Sequence, residues 1–322
     1  MPFVRLTALV GSLGLLTSRV MLLFHEFGGH AAPATLFGGR VIGWYLFLFA
    51  GGRVSYRLGP IDGARRLVVT LGGIAIELLV GAIAFALARK MRERATASFC
   101  QLCVGMMLVG HASIYLARGV HYGFGDGAFL AQRMGGARVI VVIAASALAV
   151  AVAFAGGQHF ARFAASFFGG TARRAAGAVL LVVACAGLVH GALSFTEVRL
   201  FSDPAWVRVM EDASVVAARE EVARRIAEAR RRGEQPPGED EQSRLMEALE
   251  RSRRPWPLNP FLLLSVGTGL VAGVVRGTRE RRAIDAVKLP SWRVVAGVVG
   301  ALAVTVTVIL VLRPLGLSFD PH

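Results

Sequence analysis

Seven stretches of this chain are apolar over lengths that meet or approach the roughly 20 residues a helix needs to cross the hydrocarbon core of a bilayer. They are Leu6–Phe37, Leu67–Ala88, Phe99–Ala117, Val139–Ala155, Ala175–Phe195, Pro260–Val275 and Trp292–Leu312. The sixth is the shortest and is rich in glycine, so it fits a span least well. Lipid offers no partner for exposed backbone, so runs of this kind restrict the chain to helices or a closed barrel. Their length selects helices. The expected fold is all-α transmembrane, a polytopic bundle of about seven spans.

Composition agrees with that reading. Hydrophobic residues make up 55% of the 322, above the roughly 45–50% of soluble domains. The net charge is +15, but the basic residues lie between the apolar runs: Arg89, Lys90, Arg92 and Arg94 in one loop, Arg276, Arg279, Arg281 and Arg282 in another. Arginines in such places anchor spans in anionic headgroups. No basic face interleaved with aromatic residues is present, so nucleic acid is excluded as a partner. The expected surroundings are a lipid bilayer, the inner or plasma membrane of a bacterium. Arginine on both sides leaves the orientation open.

Three cysteines make no disulfide framework, and a lone Cys100-x-x-Cys103 without a second pair reads as two thiols packed in an apolar helix. The stretch Leu6–Phe24 resembles a signal peptide but has no small-x-small cleavage site. It is expected to be retained, because it runs straight into the residues that carry chemistry.

Between the first two spans, Gly38-Gly39 and Gly51-Gly52 bound the apolar run Val41–Phe49. That run is too short to span and predicts a β-hairpin or re-entrant segment beside a cavity. Residues 196–257 are instead rich in Arg, Glu and Ala. The Gln235-Pro236-Pro237-Gly238 break divides them into two expected helices, Pro204–Arg232 and Glu239–Arg253. Glu220, Arg224, Glu228 and Arg232 alternate in sign at helical spacing, as on an exposed face. Four parts follow: a core of three spans and the β segment at 1–135, two spans at 136–195, a soluble helical hairpin at 196–257, and two spans at 258–322.

The chemistry concentrates in His25-Glu26-Phe27-Gly28-Gly29-His30, near the end of the first run. Neutral imidazoles bind a metal and a neighbouring carboxylate handles a proton. The familiar zinc helix spaces its histidines i,i+4, about 40° apart around the axis, whereas i,i+5 places them about 140° apart. A π-bulge at Gly28-Gly29 would restore a common face, because its repeat runs from i to i+5. A third ligand is needed, and Asp126, between Gly125 and Gly127, is the best placed candidate. By spacing alone it is equally an ordinary Asp-Gly surface turn.

These motifs, in this order, resemble the site-2 protease family of intramembrane zinc metallopeptidases. The likeness covers roughly residues 15–135. It rests on His25 to His30, the Gly-rich segment Gly38 to Tyr56, Leu71-Gly72-Gly73-Ile74-Ala75-Ile76-Glu77, and Asp126-Gly127. It implies zinc held by His25, His30 and Asp126, Glu26 as catalytic base, and membrane-embedded protein as substrate.

The chain departs from the family in the extra residue between the histidines and in Glu77, where relatives tend to carry Asn or a small residue. It also has no PDZ domain. Glu77 at mid-span needs a partner, His111 or His190, unless it joins the metal shell or stays protonated. Glu77, His111 and His121 are candidates to orient the ligands, and His190 reads as an interhelical contact. The extra residue motivates one alternative, a catalytically inactive protein of the same fold that binds metal or a partner. A haem protein using His25, His30, His111 and His190 is a further alternative, but it leaves Glu26 and Asp126 without a role.

Overall fold

Apolar runs fold as helices here, and most of the helices extend beyond the run that announces them. The computed structural model describes residues 2–316 except 92, 165–166, 169–170, 202–212, 234, 236, 254 and 281–288. Within it, α1 (Pro2–Leu36), α2 (Gly63–Lys90), α3 (Ala95–Tyr122), α4 (Arg138–Ala164), α5 (Ala172–Phe201), α8 (Leu258–Arg279) and α9 (Trp292–Leu312) form the bundle. These seven helices are long and apolar enough to cross a membrane, which is compatible with a multi-pass membrane protein.

The Gly-rich sixth run is α8, and its glycines are packing surfaces. A Cβ on Gly273 would strike the Phe154 carbonyl, one on Gly277 the Gln158 carbonyl, and one on Gly157 the Leu270 carbonyl. Helices in lipid gain stability from such close backbone approach, since burying apolar side chains gives little there. The same contact carries α4 past Ala155, where the apolar run ends, to Ala164. At the end of the seam Glu280 receives Gln158, Arg162 and Arg276.

The main core joins α1, α3, α4 and α5 through Leu6, Leu9, Phe99, Phe160 and Val179. Cys103 is buried in it, and all three cysteines are free thiols.

The segment after α1 is a β-hairpin. β1 (Arg40–Leu46) pairs antiparallel with β2 (Gly52–Arg57), with Val41 opposite Tyr56, Trp44 opposite Val54, and a bulge between Val41 and Gly43. Two strands alone are marginal in water. Here Leu46 packs on Leu22 and Ile309, and the Trp44 indole N–H donates to the Leu312 carbonyl at 3.0 Å.

Outside the bundle, α6 (Ala213–Arg231) and α7 (Glu239–Arg253) pack against each other. The expected start of α6 at Pro204 lies outside the described residues. Arg224 holds both Glu221 and Glu228 along α6, as an exposed helical face should.

Candidate metal centre

The first histidine pair depends on a change of helix type. Residues Phe24–Ala31 form a π-helix, closed by the Ala32 N–H donating to the Phe27 carbonyl five residues back. Its wider turn brings the His25 and His30 rings to 5.0 Å between centroids. The expected single bulge is here an eight-residue segment. It lies against α2 in backbone contact. A Cβ on Gly29 would overlap Gly72 and Gly73, and one on Gly73 would overlap the His25 ring. The glycines of 71–77 therefore make room for a ligand.

Each imidazole is fixed through its Nδ1. His30 Nδ1 lies 2.7 Å from the Val69 carbonyl, which only accepts, so the proton sits on Nδ1. His25 Nδ1 lies 2.8 Å from Glu77 Oε1. Glu77 Oε2 takes His111 Nδ1, also at 2.8 Å, so the mid-span carboxylate is shared by two histidines. With Nδ1 protonated in both rings, each Nε2 presents a lone pair to the space between them.

Asp126 faces that space. Gly123 ends α3 in the left-handed region at φ 73°, and Gly125 at φ 53° turns the chain again. A β-carbon would be strained at both positions. Gly127 then packs against the backbone of Gly119 and Val120, folding the loop back onto its own helix. The Tyr115 hydroxyl lies against this turn, beside the Asp126 backbone. Asp126 Oδ2 ends 3.1 Å from His25 Nε2, and Oδ1 ends 3.3 Å from His30 Nε2. The three ligand atoms lie within 4.8 Å of one another, a group able to hold a metal ion.

The donors fit a cation better than they fit each other. Two imidazole lone pairs face a carboxylate, and the buried Asp126 Oδ2 has no hydrogen-bond partner among the described residues. Lone pairs converging in a buried site repel unless something positive lies between them.

Glu26 follows His25 in the π segment and is buried, with the Val54 backbone of β2 beside its carboxylate. A cavity of about 600 Å³ opens beside it, walled by α1, α3, α5 and the hairpin tip. His25, Glu26, Glu77, His111 and His190 line it, with apolar residues over most of the remainder.

Of the residues singled out in the sequence, His25, Glu26, His30, Asp126, Glu77 and His111 come together. His121 does not join them. Its Nε2 engages the Trp256 carbonyl at 2.8 Å, tying α3 to the segment before α8.

Two contributors escaped the sequence reading: the Val69 carbonyl and Tyr115. A backbone carbonyl leaves no trace in a sequence. A tyrosine within an apolar run, one turn past His111, was a signal that could have been weighed. Comparison with protein-family models, curated proteins and solved structures gives no match.

Proposed function

We propose that the chain is an intramembrane zinc metallopeptidase that hydrolyses peptide bonds of membrane-embedded protein substrates. The observation that carries this reading is the convergence of His25 Nε2, His30 Nε2 and Asp126 on one point, with Glu26 buried beside them on the wall of a cavity. Two imidazoles and one carboxylate form a common catalytic zinc set that leaves a position open for water. The same donors suit ferrous iron, but the carboxylate adjoining His25 favours hydrolysis, which needs a proton acceptor at that place. When bound, zinc supplies a Lewis acid and brings the pKa of a coordinated water near 7.

The remaining steps belong to side chains of the chain. Glu26 takes the proton of the attacking water and returns it to the leaving amine. β2 packs beside Glu26, while Glu77 and the Val69 carbonyl keep both imidazoles in the metal-binding tautomer. The apolar cavity admits an unwound stretch of substrate and excludes bulk water.

Support for the inactive alternative came from the longer histidine spacing, and the π segment takes up the added residue. Glu26→Gln should keep zinc at the wild-type stoichiometry while abolishing cleavage of a model transmembrane substrate in proteoliposomes. Cleavage retained in that variant removes Glu26 from its role. Absence of metal from the wild type, with no change in His25→Ala, removes the reading altogether.

A further inference from the structure

The hairpin tip, Phe47 to Gly51, closes one side of the cavity. The Glu197 carboxylate of α5 is held by the tip's main chain. Leu48 N–H donates to Oε1 at 2.6 Å, and Phe49 and Ala50 N–H donate to Oε2 at 2.6 and 3.1 Å. Three successive amides aimed at one anion form a backbone nest, a geometry that selects carboxylates and phosphates. The carboxylate is 5% exposed.

Two arginines complete the arrangement. Arg19 of α1, 3% exposed, donates to the Phe47 carbonyl at 3.0 Å. Arg313 lies 3.8 Å from Glu197 Oε1 and donates to the Tyr45 hydroxyl at 2.9 Å. A buried carboxylate in a span is costly unless its lone pairs are met, and here the partners are main-chain groups of the hairpin itself.

This grip extends to the site. The tip leads into β2, which packs against the π segment that carries Glu26, with the Val54 backbone beside its carboxylate. A two-stranded sheet has little rigidity of its own, so whatever fixes the tip also fixes the strand that packs beside Glu26.

We propose that α5 belongs to the catalytic unit. Glu197 is a positioning residue, docked in a carboxylate-binding nest at the hairpin tip, and through β2 it holds Glu26 and the cavity wall in register. The catalytic part of this inference rests on the peptidase reading, while the docking itself does not.

Full-length Glu197→Gln and Glu197→Ala, purified in lipid nanodiscs, test it by backbone hydrogen exchange over 47–54, metal content, and cleavage with and without added acetate. In both variants metal content should stay at the wild-type level. Exchange at Leu48, Phe49 and Ala50 should rise at least about tenfold, the equivalent of losing one hydrogen bond to a charged group, and the rise should extend to Val54. The kcat for cleavage should fall. Acetate should restore both protection and kcat in Glu197→Ala, where it can enter the vacated nest. It should not do so in Glu197→Gln, where the carboxamide still fills the space, and chloride at equal ionic strength should restore neither.

Wild-type protection at 48–50 in Glu197→Gln overturns the docking. Exchange that rises only at the tip, with kcat intact, overturns the positioning role. Protection lost throughout the seven spans in both variants replaces it with a global structural one. If the wild type cleaves nothing yet the exchange and acetate results hold, the docking stands and the peptidase reading falls.

Discussion

Where α8 crosses α4, and where the π segment of α1 crosses α2, glycines let two backbones touch. In the first crossing Gly273 and Gly277 meet the carbonyls of Phe154 and Gln158. In the second Gly29 meets Gly72, and Gly73 meets the His25 ring. The residue type and the closeness are alike, but the partners differ. The α4–α8 seam joins backbone to backbone and serves association. The α1–α2 crossing adds to its backbone contact one between backbone and a ligand, which sets where that ligand points. Close glycine packing therefore marks a site only where a chemically competent side chain fills the space.

The sharpest way to break this contrast is to fill both gaps. Gly73→Val places carbon where the His25 imidazole lies, so metal affinity should fall by at least about 100-fold, more than is usual on losing an outer partner. Gly273→Ala presses on the Phe154 carbonyl. It should cost about 1–3 kcal/mol of stability by overpacking and leave metal content unchanged. Titration with zinc and thermal unfolding of both variants check this. Metal loss in Gly273→Ala equal to that in Gly73→Val would erase the distinction.

A milder change sharpens it through carboxylates. Glu77→Gln leaves the His25 and His111 N–H groups one neutral acceptor oxygen to share. Metal affinity should drop about 10–100-fold, the usual cost of losing a partner that orients a ligand. Glu280 gathers Gln158, Arg162 and Arg276 at the end of the other seam, so Glu280→Gln should not alter metal binding at all. Equal zinc affinity in Glu77→Gln and wild type would show that His25 is held by packing alone.

These contrasts also show what the sequence disclosed. The seven helices were legible because apolar length is a local property, as was the hairpin between its glycine pairs. The His25–Glu26–His30 cluster was legible because charge and imidazole are costly in an apolar run. The fit of Asp126 between the two Nε2 atoms was not, since it depends on two left-handed glycines and on Gly127 packing against Gly119. The Val69 carbonyl and the Glu197 nest lay beyond reach for a related reason: their partners are main-chain groups or residues nearly 150 positions apart. Glycine in the sixth run read as weakness because the facing helix cannot be seen in a window of one sequence.

The smallest expected effect belongs to a deletion. Removing Gly28 leaves His25 and His30 separated as in the ordinary zinc helix, about 40° apart on an α-helix. If the π segment is an α-helix that has taken up one extra residue, deletion returns it to α geometry with the helix in phase on both sides. Zinc affinity should then stay within about tenfold of wild type, short of the loss expected on removing an orienting partner. Deleting Gly273 gives the opposite result, because α8 has no wide turn to absorb the change. Everything beyond it rotates by about 100°, carrying Gly277 off the Gln158 carbonyl and Glu280 off Gln158 and Arg162. Zinc binding and thermal unfolding of the two deletions decide the matter. Should the Gly28 deletion lose metal as completely as Gly73→Val, the π turn is itself the geometry His25 requires, and the crossing with α2 is built around it.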